Sequence, residues 1–135
     1  NVMAGMAKRL LREVKLDCQL PVRPMLVEPR LETRREIYLF CKEVLYNIAK
    51  HSHASRVQFH LHPKPNGLRI EITDNGCGFD SQIATGGQGI GNLRERARRL
   101  QATMNLTSSR EAGTTVTLDI PRTRHWQKPS PHNNS

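Results

Sequence analysis

The sequence predicts an α/β two-layer sandwich, a mixed β-sheet with helices on one face. Apolar residues recur at helical spacing in some segments and alternate at a period of two in others. These segments follow in the order helix, strand, helix, two strands, helix, two strands. Adjacent strands of this kind pair as hairpins, and the intervening helices return across one face. A chain of 135 residues is long enough for one domain that buries about two-thirds of its unfolded surface.

Val2, Met6, Leu10 and Val14 fall on one helical stripe, so residues 1–15 read as a leading helix. Leu16, Cys18 and Leu20 alternate with polar residues and give a short strand ended by Pro21. The proline-punctuated PVRPMLVEPRLE is a connection. Thr33 and Glu36 fit a capping box, and Ile37, Cys41, Val44, Leu45 and Ile48 form the apolar face of the helix that follows. Val57, Phe59 and Leu61, the turn PKPNG, then Leu68, Ile70 and Ile72 make a β-hairpin pattern. Continuing that alternation puts Asp74 on the core side, where a carboxylate needs a partner. After SQIATGGQG, Ile90, Leu93, Ala97 and Leu100 mark a helix that begins among glycines. Met104 and Leu106, the connection SREAG, and Val116, Leu118 and Ile120 complete a second strand pair ended by Pro121. Residues 122–135 are polar and proline-containing, the composition of a disordered tail. Residues 16–121 therefore form the folded domain.

A net charge of +9 and pI near 10.2 favour anionic partners. The arginines are dispersed over helical patterns and the tail, and aromatics for base stacking are few, so direct nucleic-acid binding is not expected. The three cysteines are odd in number and lack metal-ligand spacing, which fits reduced thiols in a cytosolic compartment. The chain carries no apolar run near the length of a membrane span and no signal-peptide pattern at its start.

Glu43 and Asn47 lie one helical turn apart and offer a carboxylate and a carboxamide, oxygen ligands suited to magnesium and phosphate. Both also fit an ordinary solvated helix face. Lys50 continues roughly the same stripe, either as a point charge for a phosphate or as a surface lysine. The turn DNGCGFD places Asp74 beside Gly76 and Gly78. In GGQGIGNLRERA, Gly87, Gly89 and Gly91 precede or open a helix whose free amides attract phosphate, although a plain glycine-rich loop reads the same way. No G-x-x-x-x-G-K-[ST] loop occurs. His51 and His53 have no companions completing a metal set, and Thr114 and Thr115 suit a strand.

Together these strings resemble the GHKL ATPase/kinase superfamily. Glu43 to Asn47 is similar to its N box, DNGCGF to its first glycine box, GGQGIGNLRERA to its second, and GTTV to the motif of its final strands. The resemblance covers roughly Leu16 to Pro121 and implies the Bergerat-type ATPase fold. NIAKHSHAS and GIGNLRERA look closest to sensor histidine kinases that partner LuxR-type response regulators, and the segment from Phe79 to Gly89 is similar to that class's short ATP lid.

The resemblance implies ATP and Mg2+ as substrate and cofactor. Asn47 would hold the magnesium, with Glu43 assisting that site or a nearby water as the second catalytic residue. Lys50 would reach a phosphate. Asp74 would accept the adenine amine, and Gly76 and Gly78 would let the backbone pass close to the base. Gly87, Gly89, Ile90 and Gly91 would open the phosphate-binding helix, and Thr115 would reach adenine directly or through water. The acceptor histidine of that class is followed by Asp or Glu, and none of the six histidines is. The resemblance therefore implies an upstream histidine-containing dimerisation domain, a homodimeric whole protein and a response-regulator partner. It leaves both a membrane-anchored and an unanchored whole protein open. A protein serine kinase of the anti-sigma type, a degenerate ATP sensor and a basic nucleic-acid module are the alternatives.

Overall fold

The computed structural model describes residues 2–10, 15–19, 27–76, 88–109, 111, 113–124 and 126–128. Helix α1 spans Val2–Leu10, strand β1 Lys15–Gln19, the two-residue β2 Glu28–Pro29 and helix α2 Leu31–Asn47. A π-helical turn, Ile48–Ser52, continues α2 and leads to the hairpin of β3, Arg56–Lys64, and β4, Gly67–Asp74. Helix α3, Gln88–Arg99, precedes β5, Thr103–Ser109, β6, Gly113–Pro121, and the short β7, Trp126–Gln127.

The sheet runs β1-β3-β4-β6-β5. β1 pairs parallel with β3 and the other neighbours are antiparallel, which is the mixed sheet predicted. Alternation assigns the two faces. Val57, Phe59, Leu68, Ile70, Ile72, Val116, Leu118 and Ile120 are buried, while Arg69, Asp119 and their outward neighbours stay accessible. One core cluster joins these strand residues to Ile37, Phe40, Cys41, Val44 and Leu45 of α2, and to Leu93 and Ala97 of α3. Each fully buried Leu, Ile or Phe side chain stabilises by about 1.5–3 kcal/mol, so this shared core fixes the helices on the sheet.

Several expectations need correction. The stripe of α1 is Met3, Met6 and Ala7 rather than Val2 and Met6; Met6 and Ala7 are buried, and Val2 is 74% exposed. Residues 11–14 lie outside the described residues. The Thr33 and Glu36 capping box does not form. Helix α2 starts at Leu31, with Arg30 as an N-cap lacking a side-chain hydrogen bond. Glu36 instead takes Arg96 at 3.3 Å and Arg99 at 3.8 Å. The entry to α2 is set by β2, which pairs antiparallel with β7. That pairing also corrects the expected disordered tail, because Trp126 is buried in the core cluster. Residues 129–135 lie outside the described residues.

The Glu36 ties also orient the helices. They join the first half of α2 to the last turn of α3; α2 leads into the start of β3 and α3 into the start of β5, strands that run in opposite directions in the sheet, so the two helices run antiparallel. The C-terminal end of α2 and the N-terminal end of α3 consequently face the same way.

Candidate functional site

Asp74 ends β4 on the core face and is 1% exposed. Its Oδ1 accepts the Gly76 backbone N–H at 2.7 Å, closing the Asp-Asn-Gly turn on itself. The backbone of Thr114 also hydrogen-bonds the carboxylate. Oδ2 is buried and has no partner among the described residues. Burial pushes the Asp74 carboxyl above the usual carboxylate range, with the hydrogen bonds from Gly76 and Thr114 acting against it. A buried charge acceptor left open is costly for a fold. Its chemistry matches a ligand that arrives with an N–H.

Gly76 is buried beside Asp74. Across the sheet, Asp74 faces Thr114 in the β4 and β6 register, and Thr114 faces Ser108 of β5. Thr114 is 3% exposed, and its hydroxyl lies 2.9 Å from that of Ser108. Thr115, the residue expected at the site, instead pairs with Thr73 and points to the opposite face, with hydroxyl oxygens 3.3 Å apart. The threonine on the Asp74 face is therefore Thr114. Val116, Leu118 and Ile120 already carry this signal, since a period of two extended backwards from them reaches Thr114. Gly113 opens β6 at φ +79, and a Cβ there would overlap the Asp74 carbonyl oxygen. Only glycine allows this close approach of β6 to the turn.

Glu43 and Asn47 are both half-buried, one turn apart at the C-terminal end of α2. The helix widens into the π-helical turn directly after Asn47, a local form that is often found at functional sites. Lys50 lies in this turn, exposed, with its ammonium 5.1 Å from the Tyr46 ring centroid. The chain leaves the turn through His53, in the left-handed region at φ 52, and enters β3 beside Asn75. Gly89, Ile90 and Gly91 fall in the first turn of α3, where backbone amides lack helical partners. Gly78 and Gly87 lie outside the described residues.

Topology brings the described parts to one end of the sheet. Asp74 closes β4 there, Gly113 and Thr114 open β6, and the connection from Asn47 enters β3. The antiparallel α2 and α3 place Asn47 and the glycine-bearing start of α3 toward that same end. Among the described residues no group of three His, Cys, Asp or Glu could hold a metal ion. Two oxygen-bearing side chains one turn apart still fit magnesium, which commonly keeps waters and completes its shell with substrate phosphates.

Residues 32–124 match the family model described as histidine kinase-, DNA gyrase B- and HSP90-like ATPase. The chain is 32% identical over 94 residues to the oxygen sensor histidine kinase NreB of Staphylococcus carnosus, an alignment covering 68% of this chain and 27% of that protein. It is 33% identical over 109 residues to the nitrate/nitrite sensor protein NarX of Escherichia coli, covering 78% and 17%. In three dimensions it is similar to the histidine kinase domain of the blue-light activated kinase of Erythrobacter litoralis, with a TM-score of 0.75 and 24% identity over 88% of this chain and 62% of that one. The last likeness is one of fold.

Proposed function

The chain belongs to the histidine kinase-, DNA gyrase B- and HSP90-like ATPase family, and from that premise we propose that it is the ATP-binding catalytic domain of a two-component sensor histidine kinase. The carrying observation is Asp74: a buried carboxylate with one oxygen held by the Gly76 amide and the other without a partner among the described residues. An exocyclic amine of adenine supplies the missing donor. Thr114, on the same face, lines the base side of the site. The first turn of α3 offers its amides to the phosphates, and Lys50 swings from the Tyr46 ring to reach them.

Asn47 and Glu43 would hold magnesium with the phosphate oxygens. A bound ion would supply neutralisation of the phosphate charge. The chain itself holds the nucleotide in line with an incoming nucleophile, and such positioning carries most of phosphoryl transfer. The γ-phosphoryl group moves from ATP to a histidine nitrogen, and ADP leaves. That histidine lies on an upstream dimerisation domain, because none of the six here is followed by Asp or Glu. The phosphoryl group then passes from that histidine to a response regulator of the LuxR type, which leaves the histidine free again, and the whole protein is a homodimer whose catalytic domains face the ATP of the cytoplasm. No helix among the described residues is long and apolar enough to cross a membrane.

The test is incubation of the full-length protein with γ-labelled ATP. Acid-labile, alkali-stable label on an upstream histidine is expected. Acid-stable phosphoserine on a partner protein would replace this reading with that of a serine kinase.

A further inference from the structure

Asn75 lies between two residues of the proposed ATP site, yet it faces away from them and is exposed. Solvent alone would satisfy an exposed carboxamide. Instead, its Oδ1 accepts the backbone N–H groups of Ser55 and Arg56, both at 2.9 Å. Its Nδ2 donates to the Ser55 hydroxyl at 2.9 Å, and its own N–H donates to the Arg56 carbonyl at 3.2 Å. Two converging backbone donors fix the amide's orientation, since only the oxygen can accept them. The regular ladder of β3 and β4 stops at Val57 and Asp74, and the Asn75 side chain carries the pairing further.

What it fastens is the exit from the helix that bears Asn47 and Lys50. Only His53 and Ala54 separate the π-helical turn from Ser55, and His53 occupies the left-handed region at φ 52. The Ser55 carbonyl in turn accepts the Lys15 N–H at 3.0 Å, which ties the same point to β1. Asp74 and Asn75 thus divide one turn between them: the first faces the core side, and the second anchors the chain coming from α2.

Resting on the ATP-site reading above, we infer that Asn75 is a positioning residue that holds the base-binding turn in register with the phosphate-binding end of α2. Adenosine touches only the turn, which stays closed by its own Asp74 to Gly76 bond, and the adjoining start of β6, whereas ATP must also engage the end of α2. Asn75→Ala therefore weakens ATP binding about tenfold, the low end of the cost of losing an orienting partner, and leaves adenosine affinity unchanged.

The experiment is calorimetric titration of the full chain and of Asn75→Ala with a non-hydrolysable Mg-ATP analogue and, separately, with adenosine. A fall in the ratio of ATP to adenosine affinity is expected. An unchanged ratio, or an equal loss for both ligands, overturns the inference while leaving the ATP site standing. Failure of the unaltered chain to bind either ligand overturns the ATP-site reading and this inference with it. Should Asn75→Ala not fold, amide exchange of the unaltered chain decides the matter. The Ser55 and Arg56 amides slow more with the ATP analogue than with adenosine, and equal protection by the two ligands refutes the link.

Discussion

Replacing Asp74 with asparagine separates the proposed binding role of this carboxylate from its effect on the fold. The substitution conserves volume and keeps an oxygen for the Gly76 N–H, which reaches Oδ1 at 2.7 Å. It turns the open Oδ2 position into an NH2 group, a donor facing the donor of the ligand. Losing one charge-assisted hydrogen bond costs about 1.5–3 kcal/mol, or roughly 10- to 150-fold in Kd. The effect on the free protein has the opposite sign. Burial raises the Asp74 carboxyl above its ordinary value of 3.8. A carboxyl raised on folding favours the folded state fully below its unfolded value, and that contribution is lost as pH rises through the folded value. Wherever the side chain is ionised in the folded protein it is therefore a burden on the fold, and the Asp74→Asn substitution would remove it. Titration calorimetry with Mg-ATP and urea denaturation at pH 7 and at acid pH measure both effects. The variant is expected to bind ATP at least tenfold more weakly while unfolding at no lower urea concentration at pH 7. Retained affinity in a folded Asp74→Asn protein refutes the base contact, and marked destabilisation at pH 7 refutes the account of its burial.

Asn47→Ala is expected to remove the magnesium dependence of nucleotide binding, so titrations with and without the metal should coincide. Gly113→Ala forces a side chain into the left-handed region at φ +79 against the Asp74 carbonyl. It should destabilise by about 1–3 kcal/mol and weaken ATP binding as well, both measurable on one purified variant. Trp126→Ala should cost about 3 kcal/mol in urea denaturation, whereas a tail without packing would give no change. Arg69 holds the Asp119 carboxyl below its usual range through a bidentate pair at 2.8 and 3.0 Å. Stability from that depressed value is present above the unfolded pKa and lost as pH falls through the folded one. With side chains 39% and 34% exposed, solvent screens the pair, so Asp119→Asn should lower the urea midpoint slightly at pH 7 and not in acid.

Period and parity make most of the fold legible in the sequence. Alternation in Val57 to Leu61 and Leu68 to Ile72 defines the hairpin and sends Asp74 inward, because a strand's two faces follow from backbone geometry alone. The apolar stripe of α2 is equally plain. Thr115 is misplaced where a resemblance overrides the parity of the same strand. The capping box fails for a different reason: Glu36 has competing partners in Arg96 and Arg99, sixty and more residues away, and local sequence does not encode that choice. Trp126 is hidden likewise, since two-residue strands carry no periodicity and their pairing is purely tertiary. Asn75 reads as a turn residue in sequence, and its hold on Ser55 emerges only once β3 and β4 are in register.

Departures from ordinary local structure occur at both ends of the sheet: Gly67 at φ +154 and Gln101 at φ 56 at one end, and a group of four at the end that Asp74 closes. There lie the buried carboxylate oxygen without a described partner, the left-handed His53, the π-helical turn after Asn47, and Gly113 at φ +79. At the opposite end β3 and β4 close through the short Pro65-Asn66 turn, and Arg69 pairs fully with Asp119. Features of the first kind each lower stability by an amount on the order of 1–3 kcal/mol, and they persist only where the surrounding structure holds them. The shared core of α2, α3 and the central strands provides that hold from below, and Asn75 provides it from the exposed side. Ligand binding then completes the open valence at Asp74. Saturating ATP should accordingly stabilise the wild-type chain more than Asp74→Asn, even though the unliganded variant starts at least as stable.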